Sequence, residues 1–156
     1  MATYSCARDL FDATRDAAIE MRRYKRQLAM LREGGNSQPM TRIIKGSITD
    51  PMLRVDSAID LEARWKQTVE VDEAVIARTS HVLYGRDNDG GVASILGMAY
   101  ADVMFWYYVA LLPWKDVGDI VGYSVSRCKD IRNIVIDTVD GYGIDAVVSG
   151  RGVAEK

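Results

Sequence analysis

Between Pro113 and Asn133 the chain reads PWKDVGDIVGYSVSRCKDIRN, an apolar-periodic run, a Gly-Tyr-Ser break and a second run. Two helices joined by so tight a turn must touch near their crossing, and only a small residue leaves room there. That requirement singles out Gly118. Gly122 follows as the residue best able to take the left-handed conformation that ends a helix. Ser124 suits the N-cap of the next helix, because its hydroxyl can accept from the backbone N–H of Ser126 or Arg127. A first helix starting at Trp114 puts Val117, Ile120 and Val121 on one side and lets Tyr123 pack back over the junction. In the second helix Cys128, Ile131, Val135 and Val139, spaced 3, 4 and 4 apart, form an inward stripe. The pattern is that of a helix-turn-helix.

The outward face of the second helix then begins Val125, Ser126, Arg127, Lys129, Asp130 and Asn133. These side chains suit a DNA major groove: arginine and lysine for guanine edges or phosphates, asparagine for adenine, serine for either. Lys115, Ser124, Ser126, Arg127, Lys129 and Asn133 are the candidate DNA-binding residues. Charge argues the other way. From Pro113 to Asp140 four basic residues face five acidic ones, and the whole chain carries a formal net charge of -2. Phosphate neutralisation drives most DNA affinity, so this module alone should bind weakly. A helical hairpin that packs without touching DNA is the alternative.

Upstream, Leu10, Ala17, Tyr24 and Leu31 recur every seven residues, with Thr14, Met21 and Leu28 four places after the first three. This a/d heptad pattern predicts a long helix from about Ser5 to Arg32, stopped by Gly34-Gly35-Asn36. Gly34 to Asp50 read as a loop, with Ile43 and Ile44 docking it loosely. Asp50-Pro51 opens a second long helix that runs to about Tyr84. Val55, Val69, Ile76 and Leu83 keep one heptad position there, Ala58 and Trp65 another, and Glu62, Asp72 and Thr79 interrupt the seam. Gly85 and the turn-rich stretch from Arg86 to Gly91 end it. From Val92 to Leu112 the chain is apolar on nearly every face, with Asp102 its one charge, which predicts a single buried helix. Its aromatics Phe105, Trp106, Tyr107 and Tyr108 read as core. Glycines after Asp140 predict a flexible tail over 141–156. The expected fold is all-α: a long antiparallel, coiled-coil-like helical hairpin over 1–84 with its loop at 34–50, then a helix-turn-helix domain over 92–140.

Charge along the hairpin is uneven. Seven basic residues stand against one acid from Arg22 to Lys45, and seven acids against Arg54, Arg64 and Lys66 from Asp50 to Glu73. The flanks of an antiparallel pair would attract; alternatively the stretch from Arg22 to Arg26 faces nucleic acid. His81, the one histidine, cannot build a two-histidine metal site, and reads as a helix-surface residue. Cys6 and Cys128 form no CxxC or Cys/His cluster and read as free thiols of a reducing compartment. The N-terminus lacks the apolar core of a signal peptide, and no apolar stretch is long enough to span a membrane. These features point to a cytoplasmic protein with no metal, no cofactor and no enzymatic role.

SAIDLEARW (Ser57 to Trp65), MFWYYVALLPWKDVGDIVGYS (Met104 to Ser124) and VSRCKDI (Val125 to Ile131) give the chain a family likeness. It resembles phage- and mobile-element-encoded transcription regulators of the ArpU-like late-gene activator type, whose C-terminal part resembles region 4 of sigma factors. Pro113 and the Val117-Gly118 pair depart from the family's more usual polar opening and Ile-Ala pair. The resemblance implies a DNA-binding transcriptional regulator of phage or mobile-element genes, with double-stranded DNA and RNA polymerase as partners. The heptads offer a route to a homo-oligomer. Two alternatives stand beside it. One is a phage small terminase subunit, acting in DNA packaging. The other is a protein-interaction module that contacts RNA polymerase without binding DNA.

Overall fold

The computed structural model describes residues 4–32 and 51–150, and their elements are all helical apart from one isolated bridge between Arg86 and Asp89. Helix α1 spans Ala7–Arg32 and α2 spans Pro51–Tyr84. The short helices α3 (Gly91–Ile95) and α4 (Met98–Met104) follow, and α4 runs into a π-helical turn over Phe105–Val109. Helix α5 covers Trp114–Val121, α6 Val125–Tyr142 and α7 Ile144–Val148. The loop expected at 34–50, with Ile43, Ile44 and the cap at Asp50, lies outside the described residues, as do the side chains of Leu31, Val55 and Ala58.

The chain divides into two compact units, one of Met1–Ala18 with Ala74–Lys156 and one of Ile19–Glu73. The first holds a continuous core in which Leu10, Phe11, Leu83, Met104, Ile131 and Val135 are fully buried. Phe11 packs against Tyr108, with ring centroids 5.3 Å apart. Thr14, which occupies a heptad position of α1, meets Thr79 of α2 hydroxyl to hydroxyl. The Thr14 hydroxyl also reaches the Leu10 carbonyl at 2.8 Å, so the polar interruption is satisfied where it is buried. The N-terminus of α1 is capped from far along the chain: the Ala7 N–H donates to Asp140 Oδ1 at 2.6 Å. A carboxylate there satisfies an orphan donor and meets the positive end of the helix dipole.

The apolar run from Val92 to Leu112 is not the single helix its composition predicts. It is interrupted at Gly97, winds as a π-turn in which the Ala110 N–H donates to the Phe105 carbonyl at 3.1 Å, and breaks at Leu111, whose φ is +64°. A helix apolar on every face can be enclosed only if neighbours surround it; breaking the run folds it upon itself and upon α6 instead. Its one charge is accounted for. The Tyr84 hydroxyl donates to Asp102 Oδ1 at 2.7 Å, and burial, with Asp102 beside it, holds that phenol well above its usual range.

The end of the chain departs from expectation too. Helix α6 continues through Gly141 to Tyr142, and α7 lies within the stretch expected to be a flexible tail, with Val147 fully buried. Residues 151–156 lie outside the described residues. What anchors α7 is the turn after α2, where Gly90 approaches the Val148 carbonyl so closely that a side chain cannot intervene.

In the second unit Tyr24 of α1 stacks on Trp65 of α2, with centroids 5.8 Å apart, and the Arg23 guanidinium covers the Tyr24 ring. Lys25 and Arg26 are exposed. Asp72, an acid that the charge pattern sets against a basic helix, meets Glu20 instead. Its side chain is 7% exposed, and Oδ2 is buried without a hydrogen-bond partner. Burial first, then the hydrogen bond and the like charge of Glu20, pushes the Asp72 carboxyl up to about 7 from an ordinary 3.8. A carboxyl whose folded value is raised favours folding at low pH and withdraws that favour as pH climbs through the folded value. The second unit should therefore lose stability as pH rises from about 4 toward about 7. Asp72→Asn removes the effect: its melting temperature should stay flat from pH 5 to 8 where the parent's falls, a difference worth roughly 1–3 kcal/mol at the upper end. Parallel thermal melts of both proteins across that range check it.

Candidate nucleic-acid interface

Helix α5 is short because its sequence stops it. Gly122 adopts φ 81°, ψ 27°, and the N–H groups of Gly122 and Tyr123 both donate to the Gly118 carbonyl, at 2.8 and 3.0 Å. The two glycines have different tasks. A Cβ on Gly122 would meet nothing within 4 Å, so its task is the left-handed backbone. A Cβ on Gly118 would sit 2.5 Å from the Tyr123 carbonyl oxygen, so its task is space. The close neighbour is the turn's own carbonyl, which lets the chain double back tightly into α6.

Val117 and Gly118 are buried and Val121 half-buried, while Ile120 is 53% exposed and does not share their side as its spacing suggests. Tyr123 is likewise 38% exposed and does not pack over the junction. Its backbone, through the hydrogen bond to Gly118, closes the turn instead.

Helix α6 begins as its sequence indicates. Ser124 is the N-cap, its hydroxyl accepting from the Arg127 N–H at 3.1 Å. Cys128, Ile131, Val135 and Val139 form the inward stripe and are fully buried. Burial pushes the Cys128 thiol up, which keeps it an apolar core group.

The candidate residues Lys115, Ser124, Ser126, Arg127, Lys129 and Asn133 are all exposed, and all but Lys115 lie on or beside the first turns of α6. Ser124 has spent one acceptor on its cap and keeps its hydroxyl proton for an outside oxygen. The Asn133 side-chain oxygen accepts weakly from Arg132 Nε at 3.4 Å. Acids share the surface, with Asp116 and Asp119 on α5 and Asp130 and Asp137 on α6 exposed. Asp140, the fifth acid of the stretch, is occupied at the N-terminus of α1.

Two features of the site carry no signal in the helical periodicity, since each joins side chains from different elements. The first is a column of rings and cations. Tyr107 of the π-turn stacks on Trp114 of α5 at 3.8 Å between centroids and 12° between planes. Arg15 of α1 lies 4.2 Å over the Tyr107 ring and donates to the Tyr107 carbonyl at 2.8 Å, while Arg132 of α6 stands 5.4 Å from the Trp114 ring. The column ties four elements together and fixes α5 against the body of the first unit. The second is Tyr100 of α4, whose hydroxyl accepts from Arg127 Nη2 at 3.1 Å. No family model, curated protein or solved structure matches the chain.

Proposed function

We propose that the protein is a double-stranded-DNA-binding regulator of transcription, of the phage or mobile-element kind implied by its resemblance, built on a helical hairpin and a C-terminal helix-turn-helix. Helix α6 docks in the major groove, with Ser126, Arg127, Lys129 and Asn133 toward base edges and phosphates, and with Ser124 and Lys115 at the backbone. One observation carries this reading. The space-limited Gly118, the left-handed Gly122 and the Ser124 cap present the exposed polar side chains of Ser126, Arg127, Lys129 and Asn133 on a helix whose opposite side is sealed in the core. In the hairpin, Glu20 pairs with Asp72 and Tyr24 with Trp65, so partners run in opposite directions along the two helices.

Arg127→Ala should weaken binding to a site selected from random duplexes by about tenfold or more, with an unchanged melting temperature. Gel shifts beside thermal melts measure both, and equal binding by the two proteins removes Arg127 from the interface.

A second reading draws on apolar surface. Ile120, Tyr123 and Val125, at 53, 38 and 37% exposed, flank the turn beside Asp116 and Asp119. Such a patch suits a protein partner, and the module would then contact RNA polymerase without DNA. Salt titration separates the two readings: a DNA affinity that falls steeply with salt supports the first.

A further inference from the structure

We infer that Tyr100 is the positioning residue that makes Arg127 a reader of a guanine, so that the preferred DNA site contains one G·C pair addressed by this arginine. The inference rests on the DNA-binding reading above and adds the base and the device that selects it. Arginine can serve DNA in two ways. Swinging freely, its guanidinium neutralises whichever phosphate is nearest and carries no sequence information. Held in one plane, two of its N–H groups can meet guanine O6 and N7 together, which no other base accepts in the major groove.

The Arg127 guanidinium is tethered through one nitrogen, on a backbone that the helix cap holds in place. The Arg127 backbone N–H is bound by the Ser124 hydroxyl at 3.1 Å, and Nη2 donates to the Tyr100 hydroxyl at 3.1 Å. Tyr100 lies on α4 and packs, half-buried, against the core, so its ring is itself held. The bond to Tyr100 uses one of the five guanidinium protons, leaving four on Nε, Nη1 and Nη2. A bidentate pair remains, now with a restricted plane. Arg132, on the same helix, is drawn to Trp114, and Lys129 has no planar fork to orient. Of the cations on α6, Arg127 is the one with both a planar fork and an orienting hydroxyl.

The test selects binding sites from a random duplex pool with the full chain. It then measures affinity for the selected site, for each single-base variant and for unrelated duplex, across a salt series, for the parent, Tyr100→Phe and Arg127→Lys. The expected result is one guanine in the site whose replacement costs the parent about tenfold in affinity. Both variants should lose that preference while keeping unrelated-duplex affinity and salt slope. A structural role for Tyr100 alone would instead weaken every duplex together and lower the melting temperature. A Tyr100→Phe protein that keeps the guanine preference while Arg127→Lys loses it overturns the positioning role and leaves the DNA reading intact. Tighter, equally selective binding by Tyr100→Phe means that the tyrosine withdraws the arginine from DNA, which also overturns it. A parent that binds no duplex overturns both readings together.

Discussion

Gly90→Ala should unfold the first unit more readily than any surface substitution, with a loss of about 4 kcal/mol in stability. Two separate costs combine. At φ 125° and ψ -154° the Gly90 backbone lies where an L side chain is strained by roughly 1–3 kcal/mol, whatever surrounds it. The new Cβ would also stand 2.4 Å from the Val148 carbonyl oxygen and 3.2 Å from the Gly150 nitrogen. Those are backbone atoms that cannot rotate aside, and crowding of this kind costs a further 1–3 kcal/mol or so. Helix α7 could escape the clash by lifting away, but Val147 would then leave the core at a cost of roughly 2 kcal/mol. The backbone strain would remain. For a unit of this size the melting temperature should fall by about 15–30 °C. Chemical and thermal denaturation of the two proteins measures it, and a loss under about 1 kcal/mol would show that α7 is not anchored through Gly90. Limited proteolysis adds a second readout, since cleavage near Gly143 should accelerate in the variant.

Gly118→Val should cost about 3 kcal/mol and, on the DNA-binding reading proposed above, abolish selective DNA binding. Replacing a helical glycine ordinarily stabilises: alanine gains roughly 1 kcal/mol over glycine in a helix interior, and valine recovers part of that. Here the Cβ contact at 2.5 Å with the Tyr123 carbonyl outweighs that gain. The carbonyl belongs to the turn closed by the hydrogen bonds to Gly118, so relief requires α5 and α6 to part. The exposed turn of α6 then loses its fixed direction, and discrimination should fall further than overall affinity. Gly122→Ala is the control. Its Cβ has open space, so only the left-handed backbone is charged against it, at about 1–2 kcal/mol. A Gly122 variant that proves more damaging than Gly118→Val would reverse the tasks assigned to the two glycines.

Much of the local structure is legible from residues a few positions apart. The stop at Gly122, the cap at Ser124 and the stripe from Cys128 to Val139 each depend on hydrogen bonds or spacings within one or two turns of chain. The heptads likewise mark α1 and α2, including the positions of Thr14, Asp72 and Thr79, yet not what fills them. That Thr14 meets Thr79 while Asp72 meets Glu20 follows from how two helices are set against each other. The spacing puts Ile120 on the same side of α5 as Val117 and Val121. In the structure it is 53% exposed, because what covers each side of a short helix is set by the neighbouring elements and not by the breadth of its apolar arc.

The candidate site divides along the same line. Its exposed residues on α6 follow from the inward stripe, since one side of a helix defines the other. Tyr100 beneath Arg127, Tyr107 upon Trp114, and Asp140 at the start of α1 do not follow from any periodicity. By itself, the sequence determined that this chain is helical, that α5 stops at Gly122 and α6 starts after Ser124, and which side of α6 turns outward, because backbone preference and amphipathic period act over a turn or two. The tertiary structure decided how the apolar run from Val92 breaks, that the chain packs on as far as Val147, and which distant groups steady the exposed turn. Those outcomes depend on enclosure and on partners brought within reach only when the whole unit closes, and contacts of that kind leave no fixed spacing in the chain.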